Sequence, residues 1–158
     1  MKVILSGLAL VAAVICIFVT TDEQRVMAAQ QRTPIIVTRI YTGSDGQTHA
    51  EQVDEKLSPV AGTLAQYAQS REESKTIKVT SSQFVRFAPG YVQDWHPAAV
   101  RRYVITLSGR GEVELPGGLK IPLGPGRILQ ADDVTGKGHI TRTIGQADWI
   151  ALFVQFDQ

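Results

Sequence analysis

Cysteine is almost absent from this chain of 158 residues, and its position excludes most thiol chemistry. The single Cys16 lies inside an apolar N-terminal run, so residues 29–158 have no thiol. Disulfide bonds, thiolate zinc sites and a cysteine nucleophile are therefore excluded for that part of the chain. A chain of this length does not need such cross-links, because folding buries roughly 70% of its unfolded surface.

An excess of charge of one sign is also lacking. The 16 lysines and arginines nearly balance the 15 aspartates and glutamates, which gives a net charge of +1. Such a balance offers no bulk attraction to nucleic acid or to an anionic membrane surface. The neighbouring Arg101 and Arg102 are too few to form a basic patch. We therefore expect no nucleic-acid partner.

Long apolar runs are absent except at the N terminus. Lys2 precedes an uncharged stretch from Val3 to Val19, polar residues follow, and Val26-Met27-Ala28 offers small residues for cleavage. A basic start, an apolar run and a small-residue site are the order of a secretory signal peptide. We predict that residues 1–28 are removed, that the protein is exported to the periplasm or secreted, and that residues 29–158 form one domain. The alternative is an uncleaved segment that anchors the protein in a membrane.

The rest of the chain is rich in β-branched residues and in turns made by glycine and proline. We predict strands at residues 34–41, 47–53, 76–88, 100–107, 112–115, 119–123, 127–130, 139–144 and 148–156. The only plausible helix is short, from Pro59 to Ser70. Short strands at close spacing are typical of a sandwich or a closed barrel. The fold is therefore predicted to be all-β, with at most one short helix.

The last predicted strand differs from the others in its pattern of apolar residues. From Asp148 to Phe156, apolar side chains occupy both faces of the strand. One small barrel core does not need two apolar faces, and strands of this kind invite pairing or covering when they lie at an edge. We therefore predict a homodimer.

Candidate polar site residues are few. The chain has three histidines, His49, His96 and His139. His96 comes just before the most regular strand, and His139 follows the glycine-rich turn at residues 135–138. Histidines beside such turns are commoner in functional sites than histidines in the middle of a strand face. The adjacent Asp132 and Asp133 point apart, and we expect them on a loop surface.

Two segments around these histidines resemble the two motifs of the cupin superfamily. Residues 90–109 read GYVQDWHPAAVRRYVITLSG, with His96 and the two terminal glycines at the spacing of the first motif. Residues 123–139 read LGPGRILQADDVTGKGH, with Gly126 and His139 at matching positions of the second. The chain is similar to small single-domain cupins of the type 2 conserved-barrel class. The resemblance implies a double-stranded β-helix, which is a jelly-roll barrel, and commonly a dimer.

The same resemblance places unusual residues at two positions of the site. Cupins that hold a metal ion normally use three histidines and a carboxylate, and here Ala98 replaces the second histidine and Arg102 the glutamate. A guanidinium cannot lose its proton, and its planar fork of donors fits a carboxylate or a phosphate. It would repel a divalent ion at the same place. Arg102 is therefore expected to hold an anion instead of a metal.

These substitutions lead to a binding hypothesis. We expect a pocket lined by His96, Arg102 and His139 that binds a small polar or anionic molecule. Tyr103 and Trp95 are expected beside the ligand. Conversion of the bound molecule by the same residues stays open.

The alternative is a metal-dependent enzyme of the isomerase or dioxygenase type. One divalent transition metal ion would then be held by His49, His96 and His139, because imidazole is a suitable ligand for such ions. A sequence does not show where the segment around His49 lies relative to the other two histidines.

Overall fold

The fold follows from strand pairing in a computed structural model that describes residues 33–60 and 71–157. This part contains twelve strands and no helix. The strands are β1 (Ile35–Thr42), β2 (Thr48–Glu55), β3 (Ser58–Pro59), β4 (Glu72–Glu73), β5 (Val79–Phe87), β6 (Val92–His96), β7 (Arg102–Ser108), β8 (Gly111–Glu114), β9 (Lys120–Leu123), β10 (Ile128–Asp132), β11 (His139–Thr143) and β12 (Trp149–Phe156). The predicted signal peptide and residues 61–70 of the predicted helix lie outside the described residues, and Pro59 belongs to β3.

Strands β5 to β12 form the two sheets of a jelly roll. They are arranged as β5-β12-β7-β10 in one sheet and β6-β11-β8-β9 in the other, so that the chain alternates between sheets as it does in jelly rolls. Strand β1 adds to β10 in parallel, and β2 adds to β1 in antiparallel fashion, which widens the first sheet to six strands. The predicted all-β jelly-roll barrel is confirmed. The short pair β3–β4 forms a separate ribbon.

The two sheets share one apolar core. Its largest fully buried side chains come from both sheets and include Trp149, Leu129, Leu123 and Val113. Full burial of one such side chain contributes roughly 1.5–3 kcal/mol to the free energy of unfolding. The indole Nε1 of Trp149 donates a hydrogen bond of 3.1 Å to Thr106 Oγ1, so the one polar atom of the ring is satisfied.

The outer face of the six-stranded sheet carries an apolar row. Ile105 pairs with Ile128 on one side and with Leu152 on the other, and Leu152 pairs with Phe84. Directly paired residues share a face of a sheet, so these side chains lie side by side. Phe84 is 77% exposed.

The position of β12 corrects one premise of the sequence analysis. This strand is not at an edge, because it lies between β5 and β7 and pairs with both. Its inner face packs in the core and its outer face belongs to the apolar row. The homodimer stays a prediction, and we expect its interface at the apolar row and not at a free strand edge.

Within residues 33–60 and 71–157, no helix is long and apolar enough to cross a membrane.

Candidate functional site

His96 and His139 lie opposite each other on neighbouring strands. In the β6–β11 pair they are direct partners, and their ring centroids are 4.5 Å apart at an interplanar angle of 56°. No strand is predicted from the sequence at β6, and His96 is expected just before the next strand. Instead, His96 is the last residue of β6, and His139 is the first residue of β11. This pairing brings two of the three histidines into one site.

A glycine permits the close approach of the two strands. Gly138 has a φ of +74°, and a Cβ atom there would lie 2.0 Å from the carbonyl oxygen of His96. A side chain at this position is excluded both by the left-handed backbone and by lack of space. Gly138 therefore permits the close approach of β6 and β11 that places the two imidazoles side by side.

Asp133 orients His139 from inside the barrel. Its Oδ2 lies 2.6 Å from His139 Nδ1 and accepts a hydrogen bond of 3.2 Å from Thr48 Oγ1. Asp133 has no exposed surface, and within the described part of the chain its Oδ1 has no partner. A buried carboxylate requires a donor or a cation beside it. The His139 ring supplies it.

The expectation that Asp132 and Asp133 lie on a loop surface is wrong. The two side chains do point apart, but both are buried. Asp132 ends β10 and receives a hydrogen bond of 2.7 Å from Arg39 Nε on the neighbouring β1. Strand β1 covers Asp132, and the histidine pair covers Asp133. Arg39 is 93 residues from Asp132 along the chain, so no local pattern indicates that contact, whereas His139 is only six residues after Asp133.

The hydrogen bonds of the two rings leave the same nitrogen available in each. His96 Nδ1 lies 2.7 Å from the carbonyl oxygen of Asp94, which can only accept. His96 Nδ1 therefore carries a proton, and His139 Nδ1 donates in the same way to Asp133. When a partner occupies Nδ1, the other ring nitrogen is left for a ligand or for proton transfer. Each imidazole has its Nε2 in that position.

Burial disfavours the charged form of His96. It lowers the pKa of His96 below the ordinary 6.5, while the hydrogen bond to the Asp94 carbonyl acts against this effect. The neighbouring His139 and the more distant Arg102 lower the pKa further, and Asp133 raises it. His96 is consequently mainly neutral at pH 7.

A small cavity lies between the sheets beside His139. Its volume is about 50 Å³, and its polar lining residues are Arg102, His139 and Thr141. The apolar part of the lining consists of Val104, Val113, Leu123, Leu129, Ala131, Trp149 and Phe153. Arg102 and Val104 are two residues apart in β7 and so share its inner face.

Arg102 is a partly buried cation without an acidic partner. Its guanidinium carbon lies 5.2 Å from the centre of the Phe153 ring, and its Nε donates to the carbonyl oxygen of Val100 at 3.2 Å. Burial lowers the pKa of Arg102 below its ordinary value, and the Asp133 carboxylate partly offsets this. Among the residues that the structure describes, neither Nη atom has a hydrogen-bond partner. The fork of donors is therefore available at the cavity.

Tyr103 and Trp95 lie outside the cavity, contrary to expectation. Tyr103 follows Arg102 in β7 and points to the opposite face, where its ring centre is 4.9 Å from that of Phe156. Burial raises the pKa of Tyr103. Trp95 precedes His96 in β6, and Lys137 Nζ lies 4.4 Å above the centre of its ring. Adjacent residues of a strand cannot line the same cavity, which the alternation along β7 already indicated.

His49 is not part of this site. It lies on β2, where its Nε2 is 3.0 Å from Asp45 Oδ1 and its ring centre is 5.9 Å from that of Tyr41. Across residues 33–60 and 71–157, no three His, Cys, Asp or Glu side chains form a group that could hold a metal ion. The expected set of His49, His96 and His139 is not assembled.

The donor set beside the cavity does not fit the metal of the cupin motif. Two imidazoles are present, Ala98 is buried without a donor, and Arg102 brings a permanent positive charge. Divalent first-row ions in such sites prefer imidazole and carboxylate ligands, and a guanidinium opposes them. Among the described residues, the motif positions therefore do not supply the ligand set of a cupin metal site.

No known family model matches this chain, and neither does any curated protein. Several solved structures are similar to it. One, from Rhizobium leguminosarum and of unknown function, has a TM-score of 0.42 and 23% identity over 49% of this chain and 69% of that chain. A cupin domain from Bordetella pertussis has a TM-score of 0.40 and 18% identity over 52% and 91% of the two chains.

A cupin superfamily protein from Desulfitobacterium hafniense has a TM-score of 0.39 and 16% identity, and the match covers 67% of this chain and 100% of that chain. Two of these three similar structures are described as cupins. The strand order is the basis of the fold assignment: the described chain is a jelly-roll domain of the same double-sheet architecture that cupins have.

Proposed function

We propose that the protein binds a small organic anion, such as a carboxylate, in the cavity between Arg102 and His139. One observation carries the proposal: the guanidinium of Arg102 is partly buried, and its two Nη atoms are unpaired among the described residues. Because Arg102 is only partly buried, its Nη atoms stay accessible, and an anion that replaces their water gains charge-assisted hydrogen bonds. The cavity beside Arg102 is the space in which such an anion fits.

The charges around the cavity support an anion instead of a neutral ligand. The nearest carboxylate, Asp133, has its Oδ2 engaged by His139 and Thr48. Asp133 therefore compensates His139 and leaves Arg102 without a contact partner. A bidentate pair of guanidinium and carboxylate is among the strongest charge-assisted hydrogen bonds in proteins. The ligand's carboxylate supplies the acidic partner that Arg102 does not have among the described residues.

His139 gives the site a second donor. Its Nδ1 is bound to Asp133, so Nε2 is the ring atom that remains for the ligand. His96 does not line the cavity, but its ring centre is 4.5 Å from that of His139. This contact makes His139, with His96 beside it, the group that we expect to transfer a proton to or from a bound ligand as a second step. We predict that the bound ligand is converted. The binding proposal does not depend on this prediction.

The binding test uses calorimetric titration of the full chain with sodium acetate and with inorganic phosphate. Arg102→Gln removes the charge and the fork while it retains a side chain of similar length, and we expect at least a tenfold loss of affinity for the anion. Arg110→Gln is the matched control, because Arg110 is exposed and away from the cavity. Equal affinities of wild type and Arg102→Gln for every anion tested would overturn the proposal.

A second substitution tests whether the residue at position 102 decides between anion binding and metal binding. Arg102→Glu restores the carboxylate of the cupin motif beside His96 and His139. We expect this variant to lose anion binding and to gain affinity for Mn²⁺ or Zn²⁺, measured by titration at neutral pH. Loss of metal affinity on acidification should accompany it, since only neutral imidazole coordinates a metal. A variant with unchanged affinity for both kinds of ion would contradict the assignment of Arg102 to the site.

Export to the periplasm or the medium is part of the proposed biology. It depends on the apolar run and the small residues before Ala29. N-terminal sequencing of protein from the host envelope tests it, with a start at Ala29 as the expected result.

A further inference from the structure

We infer that the cavity selects short monocarboxylates with about two to four carbon atoms in all, with the carboxylate at Arg102 and the apolar tail directed toward Trp149. The inference rests on the proposed binding of an anion and adds the part of the ligand that Arg102 does not contact. It follows from the distribution of polar and apolar side chains along the cavity, from the cavity volume and from the hydrogen bond of the Trp149 indole.

Two of the three polar lining residues, Arg102 and His139, lie at one end of the cavity. Arg102 begins the inner face of β7, and its strand partner Ala131 is two residues before Asp133, which binds His139. Thr141 is the next residue after His139 on the inner face of β11, and it pairs with Val113, so it lies beside the apolar lining. We call the part made by Arg102 and His139 the polar end.

The opposite end of the cavity is apolar. Along the inner face of β7, Val104 follows Arg102 and Thr106 follows Val104, and Trp149 is bonded to Thr106. Thr106 is four residues beyond Arg102 on β7, so Trp149 approaches the cavity from further along the strand than the guanidinium does. Val113 and Leu123 line the same region, and both are almost completely buried. We call the part made by Val113, Leu123 and Trp149 the apolar end.

The apolar end has no donor for a second charged group. The only polar atom of its three side chains is Trp149 Nε1, which is already bonded to Thr106 Oγ1. A second carboxylate placed there would lose its water without gaining a partner, at a cost of several kcal/mol for a buried charge. Dicarboxylates and sugar phosphates are therefore disfavoured, whereas a methyl or ethyl group gains about fourfold in affinity for each buried methylene.

The volume sets the length of the tail. A cavity needs roughly 10–15 Å³ for one water-sized atom, so a volume of about 50 Å³ accepts about four heavy atoms. Acetate has this size. Slightly longer acids fit when their carboxylate occupies the rim beside Arg102. Chains longer than this collide with the packed residues of the apolar end, which cannot move without disturbing the core.

The experiment is a calorimetric series on the full chain with formate, acetate, propionate, butyrate, hexanoate and malonate. We expect affinity to rise about fourfold per methylene from formate to an optimum at two to four carbon atoms, and to fall at least tenfold at hexanoate. Malonate should bind at least tenfold more weakly than the best monocarboxylate.

Two variants of one residue move the optimum in opposite directions. Val113→Ala enlarges the apolar end and should shift the optimum to an acid one or two carbons longer. Val113→Ile fills it and should shift the optimum to a shorter acid. Leu119→Ala is the control, since Leu119 is 55% exposed on the β8–β9 turn and should leave the series unchanged. Val104→Ala replaces Val113→Ala if that variant does not fold, which the thermal transition monitors.

The outcomes separate this inference from the proposed function. Anion binding that depends on Arg102 but shows no dependence on tail length, or that favours malonate, overturns the tail assignment and leaves the binding proposal intact. Absence of binding for every carboxylate overturns both. An optimum that moves with Val113 as described supports the inference, and an optimum that does not move overturns it.

Discussion

At the scale of single residues, the site depends on which face of a strand each side chain occupies. The period of two along β7 is a local property, and it was sufficient to predict that Arg102 and Val104 share one face and Tyr103 the other. Placing Tyr103 in the same pocket as Arg102 contradicted that period, and the structure puts Tyr103 against Phe156. The role of Asp133 could not be predicted, because it depends on contacts with Thr48 and His139 that no local pattern encodes.

The lowered pKa of His96 predicts how stability depends on pH. Folding lowers this pKa below 6.5, so at pH values below that the unfolded state binds more protons than the folded state. The contribution of His96 to stability is therefore fully present above the unfolded pKa and is lost as the pH falls below it. Urea denaturation between about pH 7.5 and pH 5.5 should show a smaller decline for His96→Gln than for the wild type.

A control variant tests whether the pH dependence of stability is specific to His96. His49→Gln changes an exposed histidine that lies on β2, away from the cavity. It should leave the decline of the wild type nearly unchanged. Parallel pH profiles for wild type and His96→Gln would show that burial does not disfavour the charged form of His96.

At the scale of elements, one turn determines whether the two histidines meet. Nine strands were predicted within a few residues of their bounds because each has an alternating or β-branched pattern and a glycine or proline turn. Strand β6 was missed, since the run Val92–His96 has no such pattern and its outer residues are exposed. Its existence depends on pairing with β11, which is a tertiary contact.

We expect Gly138→Ala to separate β6 from β11. The new Cβ would clash with the His96 carbonyl oxygen, and the backbone would remain in the left-handed region. The expected loss in the free energy of unfolding is more than about 3 kcal/mol. Gly145→Ala is the control, because Gly145 also has a positive φ but open space around its Cβ position, and it should cost about 1–2 kcal/mol. Equal losses for the two variants in urea denaturation would contradict the role of close approach.

At the scale of the whole molecule, the apolar row on the six-stranded sheet predicts self-association. Ile105, Leu152 and Phe84 lie adjacent on the outer face, and Phe84 is the most exposed of the large apolar side chains that the structure describes. Large exposed apolar patches mark interaction sites, and a stable dimer buries about 1,200–2,000 Å² in total. Light scattering of the full chain should give twice the mass of one chain.

Substitution on the row tests whether the row forms the dimer. Phe84→Glu places a charge at the centre of the predicted interface and should give a monomer. Leu119→Glu changes another exposed apolar residue, on a different surface, and should remain dimeric. A wild-type protein that stays monomeric at high concentration would show that the row has another role.

The parallel pairing of β1 with β10 has a consequence for the time course of folding. The ribosome makes β1 and β2 well before the Ile128–Asp132 strand that completes their pairing. Until then Ile40, fully buried in the finished protein, has no core to enter. Contacts between such distant segments are slow to form, and topologies dominated by them fold in milliseconds to seconds. The β1–β2 hairpin therefore presents an unpaired strand edge until β10 is made, and an edge of this kind is open to pairing with other chains.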